Sequence, residues 1–222
     1  MSLNVNTRRA KEAEPSVRTQ DPEGTRRNIV EVATREFAEH GLAGARIDEI
    51  AAKTRSSKRM IYYYFGDKEG LYLQVLEAAY SRIRQVEATL HLDDLEPAAA
   101  LRRLVEFTFD HHNSNEPFVR LVMIENIHHG TYLARSEAIQ QLNVTAIDTI
   151  ARVYDRGVAA GLFRPGIAAV DLHWHISALC FFSVSNRATF SKIFGLDLKS
   201  KPTLARLREQ SVEMVLRFVA RD

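Results

Sequence analysis

Cysteine is all but absent from this chain: Cys180 is the only one among 222 residues. An intramolecular disulfide is therefore excluded, and the setting of Cys180 in the apolar run SALCFFSV predicts a buried, inert thiol. Glycine and proline are scarce, with ten and six, and they fall in clusters. The stretches between those clusters repeat apolar residues at helical spacing, and neither a period-2 strand run nor an internal repeat interrupts them. No apolar segment reaches the roughly 18 residues needed to cross a bilayer, so no membrane partner is expected. The first twenty residues are polar and of mixed charge, without the apolar stretch of a secretory signal, and a cytoplasmic location is the expectation. Excess charge is missing as well. The formal net charge is only +2, so any nucleic-acid role has to come from a local basic patch.

What remains is a chain that is 45% hydrophobic, enough for a substantial core in one large or two small domains. Residues 1–20 read as a disordered basic arm carrying Arg8, Arg9, Lys11 and Arg18. Asp21 and Pro22 then form an N-cap and N1 pair, Ile29, Ala33 and Phe37 make an apolar stripe, and Gly41 supplies a stop. Short helices follow over RIDEIAAKT and near 57–64, separated by the polar turn TRSS. Gly66 and Asp67 cap a long helix to about residue 90, with Leu71, Val75 and Ala78 on one face and Tyr72, Leu76 and Ile83 beside it. Beyond HLDDLEP, helices are expected near 97–114, 117–129, 136–160, 168–194 and 202–220. The expected fold is all-α with about nine helices: a head over 21–68 and a helical body over 69–222.

One stretch does not fit simple amphipathic patterning. SSKRMIYYYFGDKEGL, residues 56–71, places three tyrosines in a row between a basic pair and a Gly-Asp-Lys turn. A helix advances about 100° per residue, so three consecutive side chains fan over about 200° and cannot share one core. Spacing assigns Ile61, Tyr64 and Phe65 to an inner face and Lys58, Arg59, Tyr62 and Tyr63 to an outer one. Two cations and two phenols facing outward suit a groove of DNA, because cations neutralise phosphates, hydroxyls donate to phosphate oxygens and rings pack on sugars or thymine methyls. Residues 46–68 carry six Lys/Arg against three Asp/Glu. Behind them Asp67 opens a helix whose free N–H groups, with Lys68, can hold a phosphate. Two short helices joined by a tight turn, the second exposed and basic, form a helix-turn-helix layout.

IDEIAAKTRSSKRMIYYYFGDKEGL, with the preceding EFAEHGLAGAR, resembles the DNA-binding head of the tetracycline-repressor (TetR/AcrR) family of bacterial regulators. The resemblance rests on the Phe-Ala-x-x-Gly end of the first helix, the Ile-x-x-Ile-Ala second helix, the Ser-Lys opening of the third, the Ile-Tyr-x-Tyr-Phe run and the Lys-Glu-x-Leu start of the fourth. It covers residues 22–70 closely and the rest only in helix number and length. It implies a homodimeric repressor that binds a near-palindromic double-stranded DNA operator and lets go when a small-molecule effector occupies the body. It also implies DNA contacts at Ser57, Lys58, Arg59, Tyr62, Tyr63 and Lys68. The family's usual Thr or Ser cap on the second helix is replaced here by Ala45 and Arg46, which leaves Arg46 to make that phosphate contact. Arg59 stands where a small residue is common, and TRSS lacks the usual Gly.

In the body, helix 168–194 is apolar nearly all round, and helix 202–220 has a broad apolar face. By the resemblance these last two helices pair with a second copy, through Leu172, Ile176, Leu179, Leu204, Leu207, Met214 and Phe218. An effector pocket is expected among Phe107, His111, Met123, His128, Tyr154, Trp174 and Phe181. Two other chemistries compete with this reading. Tyr64 and Lys68 match the Tyr-x-x-x-Lys pair of short-chain dehydrogenases, but Gly66 interrupts the helix and no G-x-G-x-x-G loop exists, so no enzyme and no cofactor are expected. His111-His112, His128-His129 and His173-x-His175 leave a metal-sensing regulator as the alternative, although neighbouring histidines on a helix point apart and no H-E-x-x-H or cysteine cluster joins them.

Overall fold

The structure, a computed structural model, describes residues 21–221; the predicted basic arm of residues 1–20 lies outside the described residues. It is all-α, with ten helices and no strand among the described residues. Helix α1 (Pro22–Gly44) starts where the Asp21 carboxylate accepts from the Gly24 N–H at 2.8 Å. Its helical path ends at Gly41, whose φ of 67° and ψ of 175° suit a residue without a side chain. Helices α2 (Ile47–Thr54), α3 (Lys58–Phe65) and α4 (Lys68–Ala88) follow. The body comprises α5 (Pro97–Ser114), α6 (Glu116–Ile127), α7 (Glu137–Ala159), α8 (Ala169–Ser185), α9 (Arg187–Phe194) and α10 (Lys201–Val219).

Two large apolar cores and one small one organise these helices. In the first, Ile29, Ala33 and Phe37 of α1 meet Ile50 of α2, Ile61 and Phe65 of α3, and Leu71, Tyr72, Val75 and Leu76 of α4. Full burial of each such Ile, Leu or Phe stabilises the fold by about 1.5–3 kcal/mol. Leu121 of α6 and Ile139 of α7 enter the same core, so head and body are packed together and not merely tethered. The second core joins α5, α7, α8 and α10 through Leu101, Leu104, Phe109, Ile150, Leu172, Ile176, Val212 and Val215. The third, smaller cluster places Ile83 of α4 against Phe118, Val119 and Val184.

The structure changes several expectations for the body. The helix predicted over 168–194 divides at Asn186, where backbone angles leave the helical region. Arg187 is buried there, with its guanidinium donating to the Ser183 carbonyl and the Asn113 side chain, and this anchorage turns α9 away from the line of α8. Leu172 and Ile176 are 0% and 1% exposed inside the chain's own core and therefore cannot face a second copy. Leu179, Leu204 and Leu207 pack against that same core and are half-buried, which leaves only Met214 and Phe218 of the predicted set exposed. On α4, Leu71 and Val75 of the predicted face are buried but Ala78 is exposed, and the buried face continues through Tyr72, Leu76 and Ile83.

Tyr154, placed in the effector pocket by sequence, is structural. Its ring stacks on Phe163, and its hydroxyl donates to the Arg164 carbonyl at 2.6 Å while accepting from the Ile167 N–H at 3.0 Å. The Phe163 ring in turn fills the space that a side chain at Gly157 would need. Cys180 is fully buried, and burial pushes its thiol up to about 12. His111 is buried against Phe107 and Phe118, with ring centroids 5.8 and 5.5 Å away, and its Nδ1 has no hydrogen-bond partner. Burial, with smaller contributions from the neighbouring His112, Arg84 and Arg82, depresses its pKa to about 4 from 6.5.

A histidine whose pKa is depressed by folding takes up its proton in the unfolded chain first. Its contribution to stability is complete above about pH 6.5 and is lost as the pH falls towards 4. His111→Phe, which keeps an aromatic ring in place, is expected to lose less stability than the wild type between pH 7 and pH 4.5. Urea unfolding at the two pH values checks this, and an equal loss in both proteins would remove His111 from the account.

Candidate nucleic-acid interface and internal cavity

The outer surface of the head is set by how its short helices are held. Glu36 of α1 is only 3% exposed, yet its carboxylate accepts from Lys53 Nζ at 2.9 Å and from the Arg46 N–H at 3.3 Å. Burial alone would raise its pKa, but those two donors outweigh it and hold the carboxyl below its ordinary value. This interaction fixes the start of α2 in place of a side-chain cap, since Arg46 at the N-cap makes no capping bond. The Arg46 guanidinium is left exposed, with no ion-pair partner among the described residues. The turn to α3 runs through Arg55 in the left-handed region, at φ 53°, where the expected Gly is missing. Ser57 then caps α3 by accepting from the Met60 N–H at 3.1 Å, which makes that hydroxyl first a structural group.

Within α3 the spacing argument is met. Ile61 is fully buried, Phe65 is 8% exposed and Tyr64 is half-buried against the head core, with the Tyr63 and Phe65 rings on either side. Lys58 and Arg59 are exposed, as are Tyr62 at 44% and Tyr63 at 80%. Two cations are already engaged: Lys58 is ion-paired with Asp48 of α2, and Lys68 Nζ donates to the Ala43 carbonyl at 3.2 Å. Lys68 thus ties the start of α4 to the end of α1. Asp67 takes the Gly70 N–H at 2.7 Å, leaving those of Lys68 and Glu69 without a helical acceptor. Gly70 lets this helix start abut the end of α3, because a Cβ there would lie 2.1 Å from the Phe65 carbonyl oxygen.

A cavity of about 430 Å³ lies in the body between α4, α5, α6, α7 and α8. Of the predicted pocket residues only Trp174 and Phe181 line it. Phe107 and Met123 belong to the packing of the adjacent apolar cluster, His111 faces a different cleft, and His128 lies beside Tyr132 at the far end of α6, exposed to solvent. The remaining lining includes Tyr80, Ile83, Arg84 and Glu87 of α4, Thr108 and His112 of α5, Phe118, Val122 and Asn126 of α6, and His173 and Ser177 of α8. Sequence reasoning missed Arg84 and Glu87 because an i, i+3 charge pair on a long helix reads as a solvated face; His173 was visible only as half of a histidine pair. A wider cleft, about 1020 Å³ along α1, α4 and α7, carries Glu23, Arg26, Arg27, Glu31 and Arg35 at its walls. The histidines do not converge on a metal: no group of three or more His, Cys, Asp or Glu able to hold an ion occurs among the described residues.

The cavity and the head share two helices. Helix α4 carries cavity residues near its C-terminal end and Lys68 at its start. Helix α6 lines the cavity with Phe118, Val122 and Asn126, while Arg120 donates to the Ala38 and Glu39 carbonyls, at 2.6 and 3.4 Å, where α1 ends. Those carbonyls lie in the turn that Gly41 kinks, and a guanidinium near the negative end of a helix is well placed to donate to them. Glu125, on the next turn of α6, accepts from the Tyr132 and Leu133 N–H groups and holds the loop that leads to α7.

Comparison with known proteins agrees with this architecture. Residues 29–75 match the family described as bacterial regulatory proteins, tetR family, and residues 97–215 match the tetracyclin repressor-like C-terminal domain. The chain is 39% identical over 189 residues to the HTH-type transcriptional repressor NicS of Pseudomonas putida, covering 85% of this chain and 89% of that one. It is 34% identical over 164 residues to the HTH-type transcriptional repressor SCO4008 of Streptomyces coelicolor, covering 74% and 80%. Among solved structures, the putative transcriptional regulator SCO4942 of Streptomyces coelicolor superposes with a TM-score of 0.66 at 28% identity, over 89% of this chain and 99% of that one. The head with its outward α3, the helical body and these matches lead to one conclusion: the chain belongs to the tetracycline-repressor family of transcriptional regulators and is not an enzyme.

Proposed function

We propose that the protein is a ligand-released repressor, acting in the bacterial cytoplasm as a homodimer on a palindromic operator. The observation that carries this reading is the outer face of α3, where Arg59, Tyr62 and Tyr63 stand exposed beside Lys58 on a head whose inner face is sealed. Residues 21–68 are the reading head and residues 69–222 the sensing and pairing body. Arg59, Tyr62 and Tyr63 contact the groove and its phosphates, Arg46 flanks them, and Lys58 joins once DNA draws it from Asp48. Ser57 and Lys68 serve mainly by fixing α3 and α4, with the free N–H groups at the start of α4 taking a phosphate.

Pairing is assigned to a different surface from the one sequence indicates. Trp174, Ala178 and Phe182 line up at four-residue intervals on the outside of α8, and Phe182, Phe190 and Phe194 form a chain of rings 5.9 and 4.6 Å apart that crosses onto α9. Ile193 is 71% exposed beside them, while Phe218 of α10, next to His175 at 4.9 Å, extends the apolar strip. A contiguous exposed apolar surface of this kind marks an association site. Two heads are needed for half-sites separated by about 34–36 Å.

The effector occupies the cavity. A molecule seated there touches α4 and α6 together, and both reach the head, so it favours one arrangement of the two heads over another; operator affinity then falls by linkage.

Genomic selection of bound fragments would supply the operator for two tests. Arg59→Ala is expected to weaken binding by about 1.5–3 kcal/mol, the value of a charge-assisted bond, with an unchanged melting temperature because the side chain is exposed. Asp48→Asn is expected to act in the opposite direction, tightening binding with little change in the salt slope, because Lys58 then reaches its phosphate without breaking an ion pair. Normal binding by the Arg59 variant would overturn the assignment of α3. For pairing, Phe182→Glu is expected to shift the protein to monomer in sedimentation velocity and to cost operator affinity, whereas an unchanged dimer would remove the α8–α9 strip from the interface.

A further inference from the structure

The cavity contains a charge that the fold does not fully answer. Arg84 is 15% exposed, and its guanidinium pairs with Glu87 through one terminal nitrogen, while Nε is buried without any hydrogen-bond partner. Leaving a buried cationic donor unmatched is costly, and native structures keep such groups where something else is to bind. Resting on the reading of this cavity as the effector site, we propose that it takes a small organic acid, with a single carboxylate on Arg84 and an apolar ring system against Phe118, Phe181 and Trp174.

The surrounding groups define the sign of the site. His112 lies with Nδ1 2.7 Å from the Thr108 carbonyl, so Nδ1 carries the proton in the neutral ring and Nε2 is left as an acceptor. Burial lowers the pKa of both His112 and His173, and the Arg84 charge adds to this, so neither imidazole contributes a second cation at neutral pH. Burial also raises the pKa of Glu87 against the pull of Arg84, making it a counter-ion that an incoming carboxylate can displace or leave protonated. A cationic ligand would meet Arg84 and would have to take a carboxylate already committed to it. A dianion such as a phosphate monoester would bring two charges to one guanidinium and bury the second uncompensated. A monoanion balances the site once Glu87, whose pKa burial raises, takes up a proton.

The walls define the rest of the ligand. Phe118 and Phe181 stand edge-on to the His112 ring, with centroids 5.8 and 6.0 Å away, and Trp174 is 74% exposed at the mouth. Aromatic side chains in such arrangements accept a flat ring in stacked or edge-to-face contact. Tyr80, Ser177 and Asn126 supply hydroxyl and amide donors for the second carboxylate oxygen.

Calorimetry on the full chain with 2-naphthoate, the neutral 2-naphthamide and the cationic 2-naphthylmethylamine tests the proposal. Naphthoate is expected to bind about tenfold or more tightly than the amide, with the amine weakest. Arg84→Gln is expected to abolish the preference for the acid, and Glu87→Gln, which removes the competing carboxylate, to enlarge it. Because Arg84→Gln strands a buried Glu87, the double variant Arg84→Gln/Glu87→Gln provides a neutral pair that must show the same loss. Equal binding of acid and amide, a preference for the amine, binding of none of the three, or a preference for the acid that survives Arg84→Gln would each overturn the proposal. Operator release is measured separately. Acid binding through Arg84 without release would leave the ligand class standing and refute the effector role of the cavity.

Discussion

Helix α3 has only eight residues, and its inward side is taken by Ile61 and Phe65, both needed to close the core of the head. No rotation of so short a helix about its axis hides Tyr62 and Tyr63 without exposing those two, at a cost of several kcal/mol in buried apolar area. The outward display of Lys58, Arg59, Tyr62 and Tyr63 is therefore a consequence of core packing. Neighbouring details protect that orientation. Glu36 fixes α2 through Lys53 and the Arg46 N–H, Ser57 caps α3, and Gly70 allows α4 to start directly against the Phe65 carbonyl. A surface that must meet a rigid duplex is best built this way, on elements whose own positions are over-determined.

The same economy underlies the communication between head and body that the proposed mechanism requires. Tyr72, Val75 and Leu76 commit one half of α4 to the head core, while Tyr80, Ile83, Arg84 and Glu87 face the cavity in the other half. Ser136, at the start of α7, donates to Glu77 between these halves, and Arg135 pairs with Glu69 near the beginning of the helix. If α4 moves as a body, as the proposed release requires, a displacement at the cavity is delivered to the base of α3. Arg120 adds a second connection, from α6 to the end of α1. Two attachments give a displaced α4 or α6 a direction, because the head is gripped at both of its sides.

Much of this was legible in the sequence, and the failures share a cause. Local signals were reliable: Asp21, Gly41 and Asp67 mark real helix ends, and the helix expected over 97–114 spans those residues. The inner and outer faces of α3 followed from angular spacing alone. Helix α8 was different, because it is apolar nearly all round and periodicity then cannot say which side is buried. Leu172 and Ile176 went inward, and Trp174 and Phe182 outward. The break at Asn186 depends on burying Arg187 against Asn113, a contact 74 residues away in sequence. For the cavity, the sequence points to α5–α8 and misses α4, and on α5 it selects the wrong side: Phe107 and His111 are neighbours of Thr108 and His112, which line it, while Trp174 and Phe181 do line it. Charged lining residues were missed because Arg84 and Glu87 satisfy a surface pattern while standing inside.

The low net charge of the chain bears on how it would select DNA. A head with many unpaired cations would gain affinity for any duplex, since phosphate contacts carry no sequence information. Here Lys58 is held by Asp48, and Lys68 is occupied by the Ala43 carbonyl. Non-specific encounters must therefore break an intramolecular ion pair before recruiting Lys58, and the gain from one phosphate is partly cancelled by the loss of Asp48. On the proposed reading, a cognate site supplies further contacts to Arg59, Tyr62 and Tyr63 at the same time, and these outweigh the cost. Asp48 thus acts against unspecific binding more than against the operator. Discrimination gained at the expense of absolute affinity follows from the difference between the two binding energies. For the ligand-released repressor proposed above, such restraint would also keep the DNA complex within reach of the effector's own binding energy.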